Sequence, residues 1–127
     1  MVLADNNIVT LTRGDTCKIP LKEVLFRDHK DYILTDNDTV YFGLMQSHQP
    51  FEQAFIKKKF TVDTDTPLKD LVIVLTSNET VDLTECKYFY SIKLLKNHTE
   101  IDKETNESKE IDEVVTLVNK TKFIICE

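Results

Sequence analysis

The side chains that commonly do chemistry are few in this sequence, and their spacing does not bring them together. The three histidines, His29, His48 and His98, all fall in segments that we predict as loops. They lack metal-ligand spacing to one another or to a cysteine, which a zinc site would require. We therefore predict that each histidine is a solvated loop residue.

Motifs for nucleophilic catalysis, phosphate binding and calcium binding do not occur in the sequence either. No Ser, Cys or Thr lies in a recognisable nucleophile elbow, and the chain has too few glycines for a phosphate-binding loop. The pairs Asp36/Asp38 and Asp63/Asp65 lack the ligand series of an EF-hand, so Asx-turn capping explains them better. We predict a protein that is not an enzyme and binds no cofactor or metal.

Two further motifs suggest binding but have simpler explanations. Arg13-Gly14-Asp15 spells an integrin-type tripeptide, yet glycine between charged residues is also an ordinary hairpin turn. Glycosylation sequons of the form N-x-[ST] occur at Asn37, Asn78, Asn97, Asn106 and Asn119. Because the N-terminus shows no secretory signal, we attribute these sequons to a composition rich in Asn, Lys and Thr.

Length and charge fit one domain that binds neither nucleic acid nor membrane. The chain has 127 residues, 41% of them hydrophobic, and a formal net charge of −6, which repels phosphate backbones and anionic lipids. The basic cluster Lys57-Lys58-Lys59 is predicted to be solvated on an exposed strand. No apolar run is long enough to span a bilayer. Three cysteines, an odd number without a CxxC pair, argue against a disulfide framework and predict synthesis in a reducing cytoplasm.

Hydrophobic alternation predicts an all-β chain without an amphipathic helix. The predicted strands cover residues 8–12, 17–21, 40–44, 54–60, 71–75, 87–96, 115–117 and 123–125. Turn signals separate them, which is typical of an immunoglobulin-like antiparallel β-sandwich of about 7–8 strands. We expect residues 8–127 to form this single domain and residues 1–7 to form an N-terminal arm.

Several segments carry more detailed expectations. The strands at 40–44 and 54–60 are predicted to pair as a hairpin, and residues 71–75, apolar on both faces, to lie centrally in a sheet. Residues 76–80 offer caps for one helical turn at most. The polar stretch 97–110 is predicted to be a flexible loop, and Asn119-Lys120 the turn of a C-terminal hairpin.

The segment around Tyr88 suggests a structural tyrosine corner. A short turn precedes Tyr88, which opens a strand, and Tyr90 follows in the next position on the same face. In immunoglobulin-like sandwiches such a tyrosine hydroxyl bonds to backbone a few residues upstream. We therefore predict that Tyr88 has this role and that Tyr90 lies in the core.

Motifs spread over nearly the whole chain resemble one family. Leu11-Thr12-Arg13-Gly14-Asp15-Thr16 and Asp38-Thr39-Val40-Tyr41-Phe42 are followed by the spaced residues Leu83, Tyr88, Tyr90, Ile92 and Leu94, and then by Thr121, Phe123 and Ile125. In this order they resemble small virion proteins of phages that infect Firmicutes, similar to the N-terminal domain of phage baseplate upper proteins. Cys86 departs from the family pattern, which usually has glycine there.

This resemblance implies a structural role in a phage particle. We predict a virion protein that binds other virion proteins of the capsid or of the baseplate and tail. A homo-oligomer within a symmetric assembly is compatible with that role. Because no stalk follows Ile125-Cys126-Glu127, we expect capsid decoration ahead of a baseplate adaptor. A carbohydrate-binding β-sandwich is the alternative from another class, although the chain lacks Trp and has 9% aromatic residues.

The candidate protein interface is the tip between the predicted strands 40–44 and 54–60. Met45, His48, Pro50 and Phe51 lie there among amide side chains, and aromatic residues and Met are enriched in interface cores. An equally strong alternative is that Phe51 folds back onto its own core. The N-terminal arm, residues 1–7, is a second candidate, because free ends of β modules add strands to partner sheets.

Overall fold

The structure, a computed structural model, describes residues 1–26 and 28–127, and of residues 98–100, 109 and 111 it describes the backbone alone. Within this part the strands are β1 (Val2–Leu3), β2 (Val9–Thr12), β3 (Cys17–Pro20), β4 (Ile33–Leu34), β5 (Thr39–Met45), β6 (Ile56–Phe60), β7 (Thr66–Pro67), β8 (Val72–Leu75), β9 (Lys87–Ile101) and β10 (Ser108–Cys126). One short α-helix, α1 (Ser77–Val81), and single 3-10 turns at Leu21–Glu23, Phe51–Gln53 and Leu68–Asp70 complete it. The all-β prediction is confirmed.

Six strands form one mixed sheet in the order β1-β2-β10-β9-β5-β6. The long strand β10 lies inside this sheet, antiparallel to β9 on one side and parallel to β2 on the other. The sheet is therefore mixed, whereas the sequence led us to expect a purely antiparallel one. The remaining strands pair two by two, β3 with β8 and β4 with β7, both antiparallel.

The hydrophobic core joins the six-stranded sheet to the β3–β8 pair. Alternate residues of β5 and β9 supply it, and the Tyr90 ring stacks on Phe42 with centroids 5.8 Å apart and meets the edge of Phe123 at 6.2 Å. Cys17 and Ile19 from β3 and Ile73 and Leu75 from β8 are fully buried in the same cluster. The expected one-sided burial of the 87–96 strand is confirmed, because every second side chain from Tyr88 to Leu94 is buried.

Two expectations about the strands are wrong, and one about a turn is confirmed in part. The C-terminal strand is continuous, because Asn119-Lys120 forms a bulged irregularity within β10 and not a hairpin turn. In the part of the chain that the structure describes, strand β8 pairs with β3 alone, and it exposes 39% of Val72, so it is not a doubly covered central strand. Arg13-Gly14-Asp15 does form a turn, with Gly14 at φ +87°, but this turn leads from β2 in the large sheet to β3 in the other pair.

The helical turn and the central hairpin agree with the sequence. β5 and β6 pair antiparallel from Val40↔Phe60 to Leu44↔Ile56. Helix α1 has five residues and begins with a capping box, in which Thr76 and Glu79 each accept a hydrogen bond from the other's backbone N–H. None of the helices in the described part of the chain is long and apolar enough to cross a membrane.

The polar stretch at 97–110 is not a loop. β9 continues to Ile101, and β10 resumes at Ser108, with an unbroken antiparallel register from Ser108↔Ile101 to Thr116↔Lys93. β5 begins opposite Leu95, so both strands extend past the body of the sheet. We call residues 96–113, which form this extension, the β-ribbon.

The N-terminal residues pair within their own chain. Val2 and Leu3 form β1 and pair antiparallel with Thr10 and Val9 of β2. The Asn7 side chain donates a hydrogen bond to the Leu25 carbonyl and accepts one from the Leu25 N–H. The N-terminal segment is therefore not the free arm that the sequence led us to expect, because residues 2–3 form the edge strand of the chain's own sheet.

Candidate functional site

Met45 is the first of the predicted interface residues, and the structure removes it from any contact surface. It is the last residue of β5 and pairs with Phe89 of β9, and none of its surface is exposed. Alternation places Met45 on the face opposite the core residues of β5, and a single sequence does not show that this face is partly covered. The prediction of an exposed Met45 is wrong.

Phe51 folds back onto its own sheet, which was the alternative to an exposed anchor. Its half-buried ring packs over Gly43 so closely that a Cβ atom added to Gly43 would lie 2.5 Å from Phe51 Cε2. The Nζ atoms of Lys93 and Lys57 lie 4.6 and 5.5 Å from the ring centroid. The Phe51 ring therefore contacts the sheet at Gly43, and two ammonium groups lie close enough to the ring for cation–π interactions.

His48 and Pro50 are exposed, as an interface role would require. His48 lines a cleft of about 380 Å³, and across this cleft lie Glu85, Cys86, Lys87 and Phe89. The structure thus brings His48 next to the turn before β9, but it places Phe51 in a different depression. The four predicted residues do not form one surface.

The bulge in β10 holds the tip between β5 and β6 in place. Lys120 Nζ donates hydrogen bonds to the Gln49 and Ser47 carbonyls, at 2.7 and 3.4 Å. Its own N–H donates to Ser91 Oγ at 2.9 Å, and its φ of +32° marks the irregular backbone there. The residues that sequence reasoning read as a turn therefore serve to fix a neighbouring loop.

A groove lies on the side of the six-stranded sheet that faces away from the core. It has a volume of about 300 Å³, and Tyr41, Leu95 and Val114 line it together with the Phe51 ring. Lys57 and Lys93 also line it, as does one carboxylate, Glu52. Val114 is 61% exposed, so the groove offers apolar surface next to two positive charges. We call this depression the Phe51 groove.

The β-ribbon is the second feature that sequence reasoning missed. Its sequence has seven acidic and three basic residues, a net charge of −4, whereas the rest of the chain has −2 of the total −6. Six of its carboxylates are described and all are exposed: Asp102, Glu104, Glu107, Glu110, Asp112 and Glu113. Among them Ile101, 68% exposed, begins the turn as an apolar side chain.

The base of the β-ribbon is anchored by Lys96. Its Nζ lies 2.6 Å from His29 Nε2 and 4.7 Å from the centroid of the Tyr32 ring. His29 Nδ1 lies 2.6 Å from Asp28 Oδ1. Since an ammonium only donates, Nε2 is the acceptor and the ring hydrogen is on Nδ1. The His29 side chain is 19% exposed and both of its ring nitrogens have a partner, so it is not the solvated loop residue that we predicted.

The other two histidines also bear on the prediction. His48 is exposed in the 46–50 loop, as expected. His98 belongs to β9 and so does not lie in a loop, and its side chain falls outside the described residues. Among the described residues there is no group of three or more His, Cys, Asp or Glu side chains that could hold a metal ion.

Asp38 has a structural place in its turn. It is 4% exposed, and its Oδ2 accepts hydrogen bonds from Tyr32 Oη at 2.8 Å and from the Thr35 N–H at 2.9 Å. Burial and the contact with Asp38 raise the pKa of Tyr32 to about 12. The Thr35 N–H lies three residues upstream of Asp38, whereas the carboxylate of an Asx-turn accepts from backbone two residues downstream, so Asp38 stabilises this turn by bonds other than the Asx capping we predicted.

Tyr88 and Tyr90 both use their hydroxyls to bind backbone. Tyr88 Oη accepts a hydrogen bond from the Glu85 N–H, three residues upstream, at 3.1 Å. Tyr90, fully buried, donates to the Asn7 carbonyl. Burial raises the pKa of Tyr90, and the neighbouring Cys17 adds to the effect. Burial likewise raises the pKa of the Cys17 thiol to about 12, although the N-terminal ammonium acts in the opposite direction.

Exposed apolar side chains also occur away from the predicted tip. Phe55, 59% exposed, is the aromatic residue that projects here, and its ring centroid lies 6.5 Å from that of Tyr88. Its position directly before β6, opposite in phase to the buried Ile56, is the signal that could have identified it.

Comparison with protein-family models, curated proteins and solved structures finds no match to this chain.

Proposed function

We propose that this chain is a non-enzymatic structural module of a phage particle, which binds other virion proteins through its projecting β-ribbon. The ribbon is the observation that carries the proposal. It extends past β5 by six residues on each strand, which corresponds to roughly 20 Å at the usual rise of a β-strand. A compact body with one projecting hairpin is suited to reaching into a neighbouring subunit.

The ribbon offers two means of binding a partner. Beyond Leu95 and before Phe123, the outer edges of β9 and β10 pair with no other strand in the described part of the chain. Such edges bind an added strand through main-chain hydrogen bonds. The many carboxylates along the ribbon discourage unselective pairing, so a partner with complementary positive charge is favoured.

We further propose that the fold is an immunoglobulin-like sandwich. The adjacent strands β10-β9-β5-β6 follow the order G-F-C-C′ of a variable-type domain, and the facing pair β3–β8 corresponds to B and E. Tyr88 at the start of β9 bonds to upstream backbone, as a tyrosine corner does at the start of strand F. In this assignment the ribbon is the F–G hairpin, at the position of a variable-domain binding loop.

The interior between the two layers supports this assignment. In antibody domains a disulfide joins strands B and F, and its second cysteine follows the corner tyrosine by two residues. Here those positions correspond to Cys17 on β3 and Tyr90 on β9, which lie near each other in the core. A large aromatic ring and a free thiol thus fill the space that the disulfide would occupy.

Particle binding by a ribbon-shortened variant tests the functional proposal. In this variant an Asn-Gly turn, the preferred two-residue hairpin loop, replaces residues 97–112 and joins Lys96 to Glu113, which are paired in β9 and β10. We expect purified phage particles to carry the full-length protein and not the shortened one. Mature particles that lack the protein, or that bind both forms equally, would contradict the proposal.

The location in the particle is resolved by electron microscopy of particles with and without the protein. Capsid decoration predicts extra density repeated over the head. A baseplate adaptor, which the resemblance to baseplate upper proteins favours, predicts density at the tail end alone. Particles mixed with the ribbon-shortened variant serve as the control and should show no extra density. Circular dichroism checks beforehand that this variant is folded.

A further inference from the structure

The Phe51 groove has the charge and shape to receive an acidic β-strand tip. Tyr41, Leu95 and the exposed Val114 offer apolar contact, and the ammonium groups of Lys57 and Lys93 lie 5.5 and 4.6 Å from the centroid of the Phe51 ring. Neither lysine makes a salt bridge in the part of the chain that the structure covers. The groove therefore has positive charge available for a partner, reduced by the single carboxylate of Glu52.

The tip of the β-ribbon has the complementary character. Ile101, 68% exposed, is the apolar residue at the point where β9 ends, and Asp102 follows it. Glu104 and Glu107 add exposed carboxylates within the same turn. An apolar side chain with carboxylates beside it matches an apolar depression with ammonium groups beside it.

The ribbon cannot place its tip in the groove of its own molecule. Leu95 and Val114, which line the groove, form the last pair before the ribbon begins, so the groove lies at the ribbon's base. The tip lies roughly 20 Å further along the strands. The register between β9 and β10 is unbroken over this length, and Lys96 anchors the base to His29 and Tyr32.

We propose that the acidic ribbon tip of one molecule binds the Phe51 groove of a second copy of the same chain. This inference goes beyond the proposed virion role, because it concerns contacts between identical chains and holds wherever the protein is located. The contact joins two different surfaces of the chain. It can be made reciprocally in a two-fold dimer, where each tip enters the groove of the other molecule, or head-to-tail in closed rings and open filaments.

Sedimentation velocity of the purified full-length protein tests the proposal. Contacts between exposed charges are screened by salt, with a Debye length of about 30 Å at 0.01 M and about 3 Å at 1 M ionic strength. We expect the sedimentation coefficient to rise with protein concentration at low salt and to fall to the monomer value at high salt. A protein that stays monomeric at low salt over the whole concentration range overturns the proposal.

Charge-reversal variants locate the contact. The groove variant Lys57→Glu/Lys93→Glu and the tip variant Glu104→Lys/Glu107→Lys should each be monomeric at low salt. An equimolar mixture of the two should associate again, because each retains the surface that the other has lost. The control variant Lys22→Glu/Lys69→Glu matches the charge change of the groove variant at exposed positions in 3-10 turns of the other layer.

Each result for the variants bears on the proposal. Restored association in the mixture, with wild-type behaviour of the control variant, supports it. Association of the groove variant at wild-type levels, loss of association in the control, or failure of the mixture to associate overturns it. Far-UV circular dichroism of each variant excludes unfolding as the cause. Monomeric wild-type protein that still joins phage particles would separate this failure from that of the proposed function.

Discussion

Glu79 joins three elements of the fold, and its substitution gives the most detailed test of the structure. Its Oε1 accepts hydrogen bonds from Lys58 Nζ at 2.8 Å, from the Thr76 N–H at 2.9 Å and from Thr76 Oγ1 at 3.1 Å. Lys58 Nζ also donates to the Val74 carbonyl at 2.8 Å. One carboxylate therefore connects the edge strand β6, the cap of α1 and the end of β8.

The substitution Glu79→Gln retains the shape of the side chain and removes its charge. Hydrogen bonds to charged groups contribute about 1.5–3 kcal/mol, roughly twice the contribution of neutral ones. The Lys58 and Glu79 side chains are 27% and 30% exposed, so solvent screens part of their attraction. We expect the variant to lose about 1–1.5 kcal/mol of unfolding free energy at neutral pH, measured by urea denaturation.

The loss should depend on pH in a direction that the structure fixes. Partial burial alone would raise the pKa of Glu79, but the Lys58 hydrogen bond, the Thr76 hydrogen bonds and the Lys58 charge outweigh burial and lower it. The stabilisation is therefore complete above the pKa of an unfolded glutamate, about 4.3, and disappears as the pH falls through the lower folded pKa. Wild type and Glu79→Gln should thus converge in stability in acid.

Two comparisons make this test decisive. Glu85→Gln removes an equal charge at an exposed position and should change the unfolding free energy by less than about 0.5 kcal/mol. A double-mutant cycle with Lys58→Met should give a coupling of about 1 kcal/mol. A Glu79→Gln variant as stable as wild type at neutral pH, or a gap that does not narrow in acid, would refute the reasoning.

Three further predictions concern the close approach of a ring, a buried hydroxyl and a buried thiol. Gly43→Ala should cost about 1–3 kcal/mol in urea denaturation because its Cβ meets the Phe51 ring, and adding Phe51→Ala should recover part of the loss. Tyr90→Phe should cost about 1 kcal/mol in the same assay, since it leaves a backbone carbonyl without its donor. A thiol reagent at neutral pH should modify two cysteines of the native protein and reach Cys17 only after denaturation, because that thiol is buried and its pKa is raised to about 12. Equal rates at all three cysteines would contradict the last prediction.

Alternation identified the strands that have one face in the core and one face outside it. In β5 and β9 the residues of the hydrophobic core recur at every second position, as the pattern predicts, although Met45 and Ser91 on the opposite face are buried as well. The β-ribbon lies beyond the core, and most of its described side chains are exposed, so nothing enforces alternation there. Its polar sequence therefore looked like a loop, although strand pairing carries on without a break.

Tertiary contacts explain the other errors in reading the sequence. Asn119 and Lys120 have the composition of a turn, but Ser91 of the neighbouring strand binds the Lys120 N–H and holds both residues inside β10. The alternation along β5 predicts an exposed side chain at Met45, but this side chain is fully buried. Phe51 lies over Gly43, which no local pattern links to it. The candidate site could be placed near the β5–β6 tip from sequence, but the groove and the ribbon require long-range information.

The parallel pairing of β2 with β10 also affects how the protein folds. Val9 lies opposite Phe123, so the sheet is completed by residues separated by almost the whole chain. Closing a loop of that size costs entropy before the contact returns any stabilisation, and chains dominated by such distant pairings fold slowly. The local hairpins β5–β6 and β9–β10 can form early, while β2 finds its place last. A partly folded chain then exposes one edge of β10, and the rate of that final docking sets how long the edge is open to aggregation.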